Sequence, residues 1–336
     1  MRQRRFAFTN AANIAASAAT AMALACLVPL GSAQAQDYPS KPIRLVIPFA
    51  AGGPTDTLGR GFAQQLSQVL KQQVYVDNKG GAGGGIGVDI VAKAPPDGYT
   101  IALGTNGPLA GNTALFKSIP YDPVKDLAPV ARVAFVPNVI AVHPSIPAKT
   151  LAELIEFLKA NPDKYSFASG GNGTTSHLGG EALKLATHTR MTHVPYKGDG
   201  PALVDAIGGQ VPIIIASVTA TAPYVQAGNL RALAVTSRTR SPNLPDVPTV
   251  EQAANLPGYE FAAWYGVVAP AATPPAIVKR LADATLQVIG SQHMADKLLS
   301  IGGQGAPMGS AEFGAFIKTE VPRWSRIIKQ VGATAD

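Results

Sequence analysis

The residues best placed to do chemistry in this chain lie in two glycine-rich stretches. They read Phe49-Ala50-Ala51-Gly52-Gly53-Pro54-Thr55-Asp56 and Ser169-Gly170-Gly171-Asn172-Gly173-Thr174-Thr175-Ser176-His177. Glycine permits positive φ and close approach of a ligand to the main chain. A helix that follows such a turn aims unpaired N–H groups, and the positive end of its dipole, at whatever sits in front of it. The chemistry this suggests is capture of an anion by main-chain amides, with no arginine required. Three or four hydrogen bonds to a charged acceptor, at about 1.5–3 kcal/mol each, suffice for a micromolar complex once association costs are met. A third turn, Thr105-Asn106-Gly107, and Ser217 at the end of the apolar run 211–216 are expected on the same side.

Other residue types leave alternatives open. Asp56 fits a helix N-cap and equally a group that holds the ligand loop. Trp264 and Tyr265 on the run 261–268 can stack on a ligand or pack a hinge. In Tyr196-Lys197-Gly198-Asp199-Gly200, Lys197 can offer a cation to a distal carboxylate or lie in solvent.

Catalytic spacings are missing: there is no G-x-S-x-G, no G-x-x-x-x-G-K-[ST], no H-E-x-x-H, and no G-x-G-x-x-G in the run 80–87. The five histidines are scattered and Cys26 is the single cysteine. No metal, cofactor or catalytic residue is therefore expected. A hydrolase or transferase on the same scaffold would have to be built from Asp56, His177 and Lys197.

The elements that must position these turns follow one grammar of strand, glycine turn and helix. Residues 43–49 read as a strand, and 56–70 carry Leu58, Phe62, Leu66, Val69 and Leu70 at helical spacing. Strands at 73–78 and 100–105, with a helix ending at Ala94, complete βαβαβ, the pattern of a mostly parallel sheet covered by helices. The middle repeats it with strands at 139–142, 166–169, 191–196, 211–216 and 231–236. Thr150-Leu151-Ala152-Glu153 is a capping box, Pro201 opens a further helix, and Leu178 and Leu185 are expected inward on the helix after the second glycine turn. Late helices are expected from Ile277 to Val288 and around 313–328. Two passages, 133–137 and 261–268, bracket the middle segment and are expected to cross between lobes. The fold class expected is α/β with two lobes and a cleft: residues 36–136 plus 262–336 in lobe 1 and 137–261 in lobe 2. In open parallel sheets the strand C-termini face one crevice, where the turns would converge.

Composition agrees. Hydrophobic residues at 46% and charged residues at 15% exclude a charge-solvated disordered chain. The net charge of +7 suggests nucleic acid until Arg2, Arg4 and Arg5 are set aside, so no nucleic-acid partner is expected. Those arginines, an uncharged stretch over 11–30 and Gly31-Ser32-Ala33-Gln34-Ala35 form a cleavable export signal over residues 1–35. A membrane anchor over 11–30 and a lipid on Cys26 are the alternatives. No apolar run after Gln36 approaches 18 residues, and a chain without cysteine after residue 35 suits an oxidising compartment.

At several of these positions the chain resembles the Bug family, the periplasmic solute-binding subunits of tripartite tricarboxylate transporters in Gram-negative bacteria. The resemblance rests on Ile43-Arg44-Leu45-Val46-Ile47-Pro48-Phe49 followed by Gly52-Gly53 and Asp56, and on Pro96-Asp97-Gly98-Tyr99-Thr100 and Pro120-Tyr121-Asp122-Pro123. It continues through Gly173-Thr174 with His177-Leu178, and through His193-Val194-Pro195-Tyr196-Lys197-Gly198. It implies a two-lobed periplasmic-binding-protein (type II) fold joined by two crossover strands and closing on a small organic carboxylate. It implies membrane subunits as partners. A monomer without enzymatic activity is expected, and the alternative that shares the binding step is a ligand-sensing input protein for a membrane kinase. Ala51 stands where the family often has proline. Ala216 stands where an acidic residue is common, which points toward a plain or aromatic carboxylate rather than an amino acid.

Overall fold

The alternation of β-branched runs with helical spacing is realised in a computed structural model that describes residues 38–52 and 54–334. The export signal expected over residues 1–35 and Gly53 lie outside the described residues. The chain divides into units Met1–Ser40 and Lys41–Asp336, and everything below concerns the second.

Strand β1 (Ile43–Ile47) leads into helix α1 (Pro54–Leu70), β2 (Val74–Asn78), a short turn Ala82–Gly84, α2 (Gly85–Ala92) and β3 (Thr100–Thr105). A turn at Gly107–Gly111 and α3 (Asn112–Leu115) precede β4 (Leu127–Val142). There follow α4 (Leu151–Ala160), β5 (Ser166–Ser169), α5 (Thr175–Thr187), β6 (Thr192–Pro195), α6 (Asp199–Ile207), β7 (Ile213–Ser217), α7 (Val218–Gln226), β8 (Arg231–Val235) and α8 (Val250–Ala254). The chain closes with β9 (Ala262–Pro270), α9 (Pro275–Ile289), α10 (Gln292–Ser300), β10 (Gln304–Met308) and α11 (Ser310–Val331).

Ten strands make one mixed sheet in the order β2-β1-β3-β9-β4-β7-β5-β6, with β8 and β10 also on β4. The parallel pairs expected from the βα repeats are β1 with β2 and β3, and β5 with β6 and β7. Every antiparallel pair involves β4 or β9. These two strands contain the expected crossovers, but β4 is one 16-residue strand that serves both halves of the sheet. Residues Leu127 to Pro137 pair with β9, and Asn138 to Val142 pair with β7. The change of partner falls at Pro137, which has no N–H to give a ladder. Asn138 sends its own N–H to Thr236 Oγ1 at 3.0 Å instead.

Amphipathic spacing places the helices. In α1, Leu58, Phe62, Leu66 and Leu70 are buried, which withdraws one apolar stripe from water at about 25 cal/mol per Å². In α5 the buried apolar side chains are Leu178 and Leu183, and Leu185 is 49% exposed. The inward face is therefore rotated from the expected one, and Gly180 takes the place beside Phe167, where a Cβ would lie 2.3 Å from the ring. The C-terminal end is one long helix, α11, anchored by the buried carboxylate of Glu320. It accepts the indole N–H groups of Trp264 at 2.9 Å and Trp324 at 2.8 Å, and pairs with Arg323 at 3.0 Å. Trp264 is thus packed against α11 in the core rather than presented to a ligand. Among the described residues no helix is long and apolar enough to cross a membrane.

Candidate functional site

The first glycine turn leaves β1 and enters α1 with Pro54 in its first turn, a position where the missing N–H costs nothing. Gly52 takes φ +85°, a conformation that disfavours side chains. Asp56 decides the shape of this turn. It lies inside the helix, its Oδ2 accepts the Gly52 N–H at 2.9 Å and Arg60 Nε at 3.0 Å, and its Oδ1 accepts Asn78 Nδ2 at 3.0 Å. Asn78 also donates to the Phe49 carbonyl at 3.1 Å. Burial alone would raise the pKa of Asp56, but the bonds from Arg60, Gly52 and Asn78 outweigh it and hold the carboxyl below its ordinary range. Of the two roles open to Asp56, the geometry is that of a loop-holding residue.

The second glycine turn is wired more densely. Thr174 caps α5 by accepting the His177 N–H at 3.3 Å, and its hydroxyl donates to the Gly171 carbonyl at 2.6 Å. The Gly170 N–H goes to Ser176 Oγ at 3.2 Å, the Gly171 N–H to Ser169 Oγ at 3.1 Å and the Gly173 N–H to His177 Nδ1 at 3.0 Å. His177 stacks on His193 with ring centroids 4.0 Å apart, and Ser169 Oγ lies 2.6 Å from His193 Nε2. Burial lowers the pKa of both rings, His193 to about 4 with help from the charges of His177 and Lys184. Neutral rings are what the wiring needs, because His177 Nδ1 must stay an acceptor for Gly173.

The amides of Gly52, Gly170 and Gly173, expected to face a ligand, are therefore already taken by oxygen- or nitrogen-bearing side chains that fold back on their own loops. What remains at the head of α5 is the pair of N–H groups on Thr175 and Ser176, which have no acceptor among the described residues.

Both turns open into one cavity of about 770 Å³, a size typical of small-molecule sites. Of the expected site residues, Phe49, Gly52, Thr55, Thr105, Asn106, Gly170, Gly173, Thr174, Ser176 and Ser217 line it. Ala51, Asp56, Ser169, His177, Tyr196, Lys197 and Trp264 do not, though Asp56, Ser169 and His177 support residues that do. Tyr196 turns its hydroxyl to Asp205 at 2.6 Å, and burial with that partner pushes its pKa up to about 12. Lys197 is exposed. Ala216 is fully buried and off the wall.

Other residues line the cavity as well, among them Tyr265, which shares the run weighed for Trp264. Asn138 hands its Nδ2 to Thr175 Oγ1 at 3.0 Å and to the Phe261 carbonyl at 2.9 Å, tying β4 to the head of α5 and to the approach to β9. Tyr265 bonds Thr55, and burial pushes its pKa up to about 12. Asp199 begins α6, and its Oδ2 accepts both the N–H of Ser217 at 3.1 Å and its hydroxyl at 2.6 Å. The signal for Asp199 was in the turn where Lys197 was weighed. The two halves meet at the rim: Leu115 lies against Gly173, where a Cβ would come within 2.5 Å of it, and Thr219 Oγ1 donates to the Ile301 carbonyl. Among the described residues no group of three or more His, Cys, Asp or Glu is placed to hold a metal.

Residues 58–333 match the family model described as tripartite tricarboxylate transporter family receptor. The chain is 37% identical over 300 residues to the protein BugT of Bordetella pertussis, covering 89% of this chain and 92% of BugT. A solved R. palustris protein with adipate is 37% identical, with TM-score 0.77 over 89% of this chain and 99% of that one. MatC from Rhodopseudomonas palustris, with bound malate, is 31% identical, with TM-score 0.72 over 87% and 100%.

Proposed function

Because this chain belongs to the tripartite tricarboxylate transporter receptor family, we propose that it is an exported receptor that captures a small organic carboxylate in the cavity between its two halves. The family is one of ligand-binding receptors, and no catalytic step is assigned. The observation that carries the reading is a cavity walled by both halves of the sheet, floored by the heads of α1 and α5 and lined by Thr, Ser and Asn, with no Lys or Arg in the wall. Main-chain and amide donors, set in place by Asp56 and by the Ser169–His193–His177 stack, would then replace arginine in holding the anion. The adipate and malate of the two R. palustris structures support the ligand class.

Residues 1–35 would direct export to the periplasm and be cleaved. Residues 36–136 with 262–336 and residues 137–261 would act as the two lobes, opening and closing about β4 and β9 as ligand contacts to both shift the balance. The monomer would then pass the ligand to membrane subunits of a transporter. The test is a thermal-shift panel of mono-, di- and tricarboxylates with product analysis. A true ligand at 100 times its dissociation constant stabilises by about 2.7 kcal/mol. A panel without a single shift, or conversion of a panel member to product, would overturn the reading.

A further inference from the structure

We propose that Asp199 sets the ligand class of this cavity, selecting carboxylates that also carry an ammonium group and turning away dicarboxylates. The inference rests on the carboxylate-receptor reading and goes beyond it.

Asp199 is the one formally charged side chain in the cavity wall. It is half-buried and enters no ion pair among the described residues. Its Oδ2 is oriented by two donors from Ser217, and its position as the first residue of α6 suits its charge to the helix dipole. Its Oδ1 points to Gly170, where an added Cβ would lie 2.7 Å away. Gly170 thus keeps open the space into which this oxygen looks. The carboxylate is held rigidly by neutral groups while its charge is left without a counterion.

A cavity with one fixed negative charge and no positive side chain repels a second ligand carboxylate brought near it, and attracts a cation. The N–H groups of Thr175 and Ser176 and the side-chain amides of Asn106 and Asn172 offer donors to a ligand carboxylate in the same wall. A zwitterion satisfies both kinds of group at once. The preference expected from Ala216, against amino acids, is therefore reversed: the acid is supplied from α6 rather than from β7.

The experiment is isothermal titration of the full mature protein with three pairs: succinate against 4-aminobutanoate and glutarate against 5-aminopentanoate, which exchange one carboxylate for an aminomethyl group, and propanoate against alanine, which adds an ammonium group. In at least one pair the amino member is expected to bind tighter on the order of 10–100-fold, the worth of one charged hydrogen bond. Asp199→Asn keeps an acceptor for Ser217 and should erase that ratio, while Asp199→Glu should retain part of it. Equal or preferred binding of the non-amino members by the unaltered protein, or a ratio unmoved in D199N, overturns this inference and leaves the receptor reading standing. Failure of folded protein to bind any carboxylate, amino-bearing or not, overturns both.

Discussion

Replacing Asn138 with alanine tests whether the joint between the two halves is held by the hydrogen bonds described. The side chain is 5% exposed and donates twice, to Thr175 Oγ1 and to the Phe261 carbonyl. A buried group orphaned outright costs about 1–3 kcal/mol, which would put the loss near 4 kcal/mol for two. Neither acceptor is orphaned, however. The Phe261 carbonyl keeps Thr236 Oγ1 at 2.8 Å, and Thr175 faces the cavity, where water can reach its hydroxyl. The expected cost is therefore two ordinary hydrogen bonds, about 2 kcal/mol. Spread over a unit of this length, with an unfolding entropy of about 2.1 cal/mol/K per residue, that lowers Tm by about 3 °C. Urea denaturation gives the free energy directly. Ligand affinity should fall as well, because Thr175 at the head of α5 loses its tether. A loss below about 0.5 kcal/mol would mean that the joint does not depend on Asn138. One above about 5 kcal/mol would mean that the remaining partners do not compensate.

Three further outcomes are expected. The lowered pKa of Asp56 means its stabilisation is complete above the ordinary value of 3.8 and is lost as pH falls through the lower folded value. Asp56→Asn should flatten the acid limb of a Tm-versus-pH curve, cost about 1–2 kcal/mol at neutral pH and weaken ligand binding in titration. For His193 the folded pKa of about 4 lies below the ordinary 6.5, so the stability gained by keeping the ring neutral is full above pH 6.5 and drains away toward pH 4. His193→Gln should lose less between those pH values than the unaltered protein does, as read by chemical denaturation at each pH. Removing the Glu320 carboxylate by E320A strands two indole N–H groups, while Arg323 keeps the Glu260 carbonyl, and should cost about 2–4 kcal/mol. E320Q keeps an acceptor and should lose less, with tryptophan fluorescence reporting both unfolding curves.

Much of this was legible because it depends on short-range pattern. The β-branched runs before Gly52 and up to Thr105, the apolar stripe from Leu58 to Leu70 and the glycine turns each announce themselves within a few residues. The unbroken β4 was legible only in pieces: 133–137 and 139–142 read as separate passages on either side of the Pro137–Asn138 junction, and 127–132 around Pro129 did not read as strand. Gln304–Met308 contains glycine and proline and became a strand only through pairing with β4. The inward face of α5 differs from the expected one at Leu185 because Gly180 and Phe167, not the leucine spacing, decide which face approaches the sheet. In the site, the turns could be located but not their wiring: whether a glycine N–H faces a ligand or its own neighbour depends on a side chain several residues away. Lys197 and Asp199 share one turn, and only the direction of the strand end separates the exposed residue from the one in the cavity.

The shared strand β4 also bears on how the receptor moves and on how it can be taken apart. An extended segment has no slack, so opening cannot be the swing of a loose tether. The proposed opening would be taken up as twist near Pro137 and Asn138, with β9 following. The same thread makes the molecule indivisible. A gene fragment for either half would lack the backbone partners of its own middle strand, leaving a raw edge prone to aggregation. Calorimetry of the whole chain should accordingly record one endotherm, and co-expressed fragments should be recovered only as a pair.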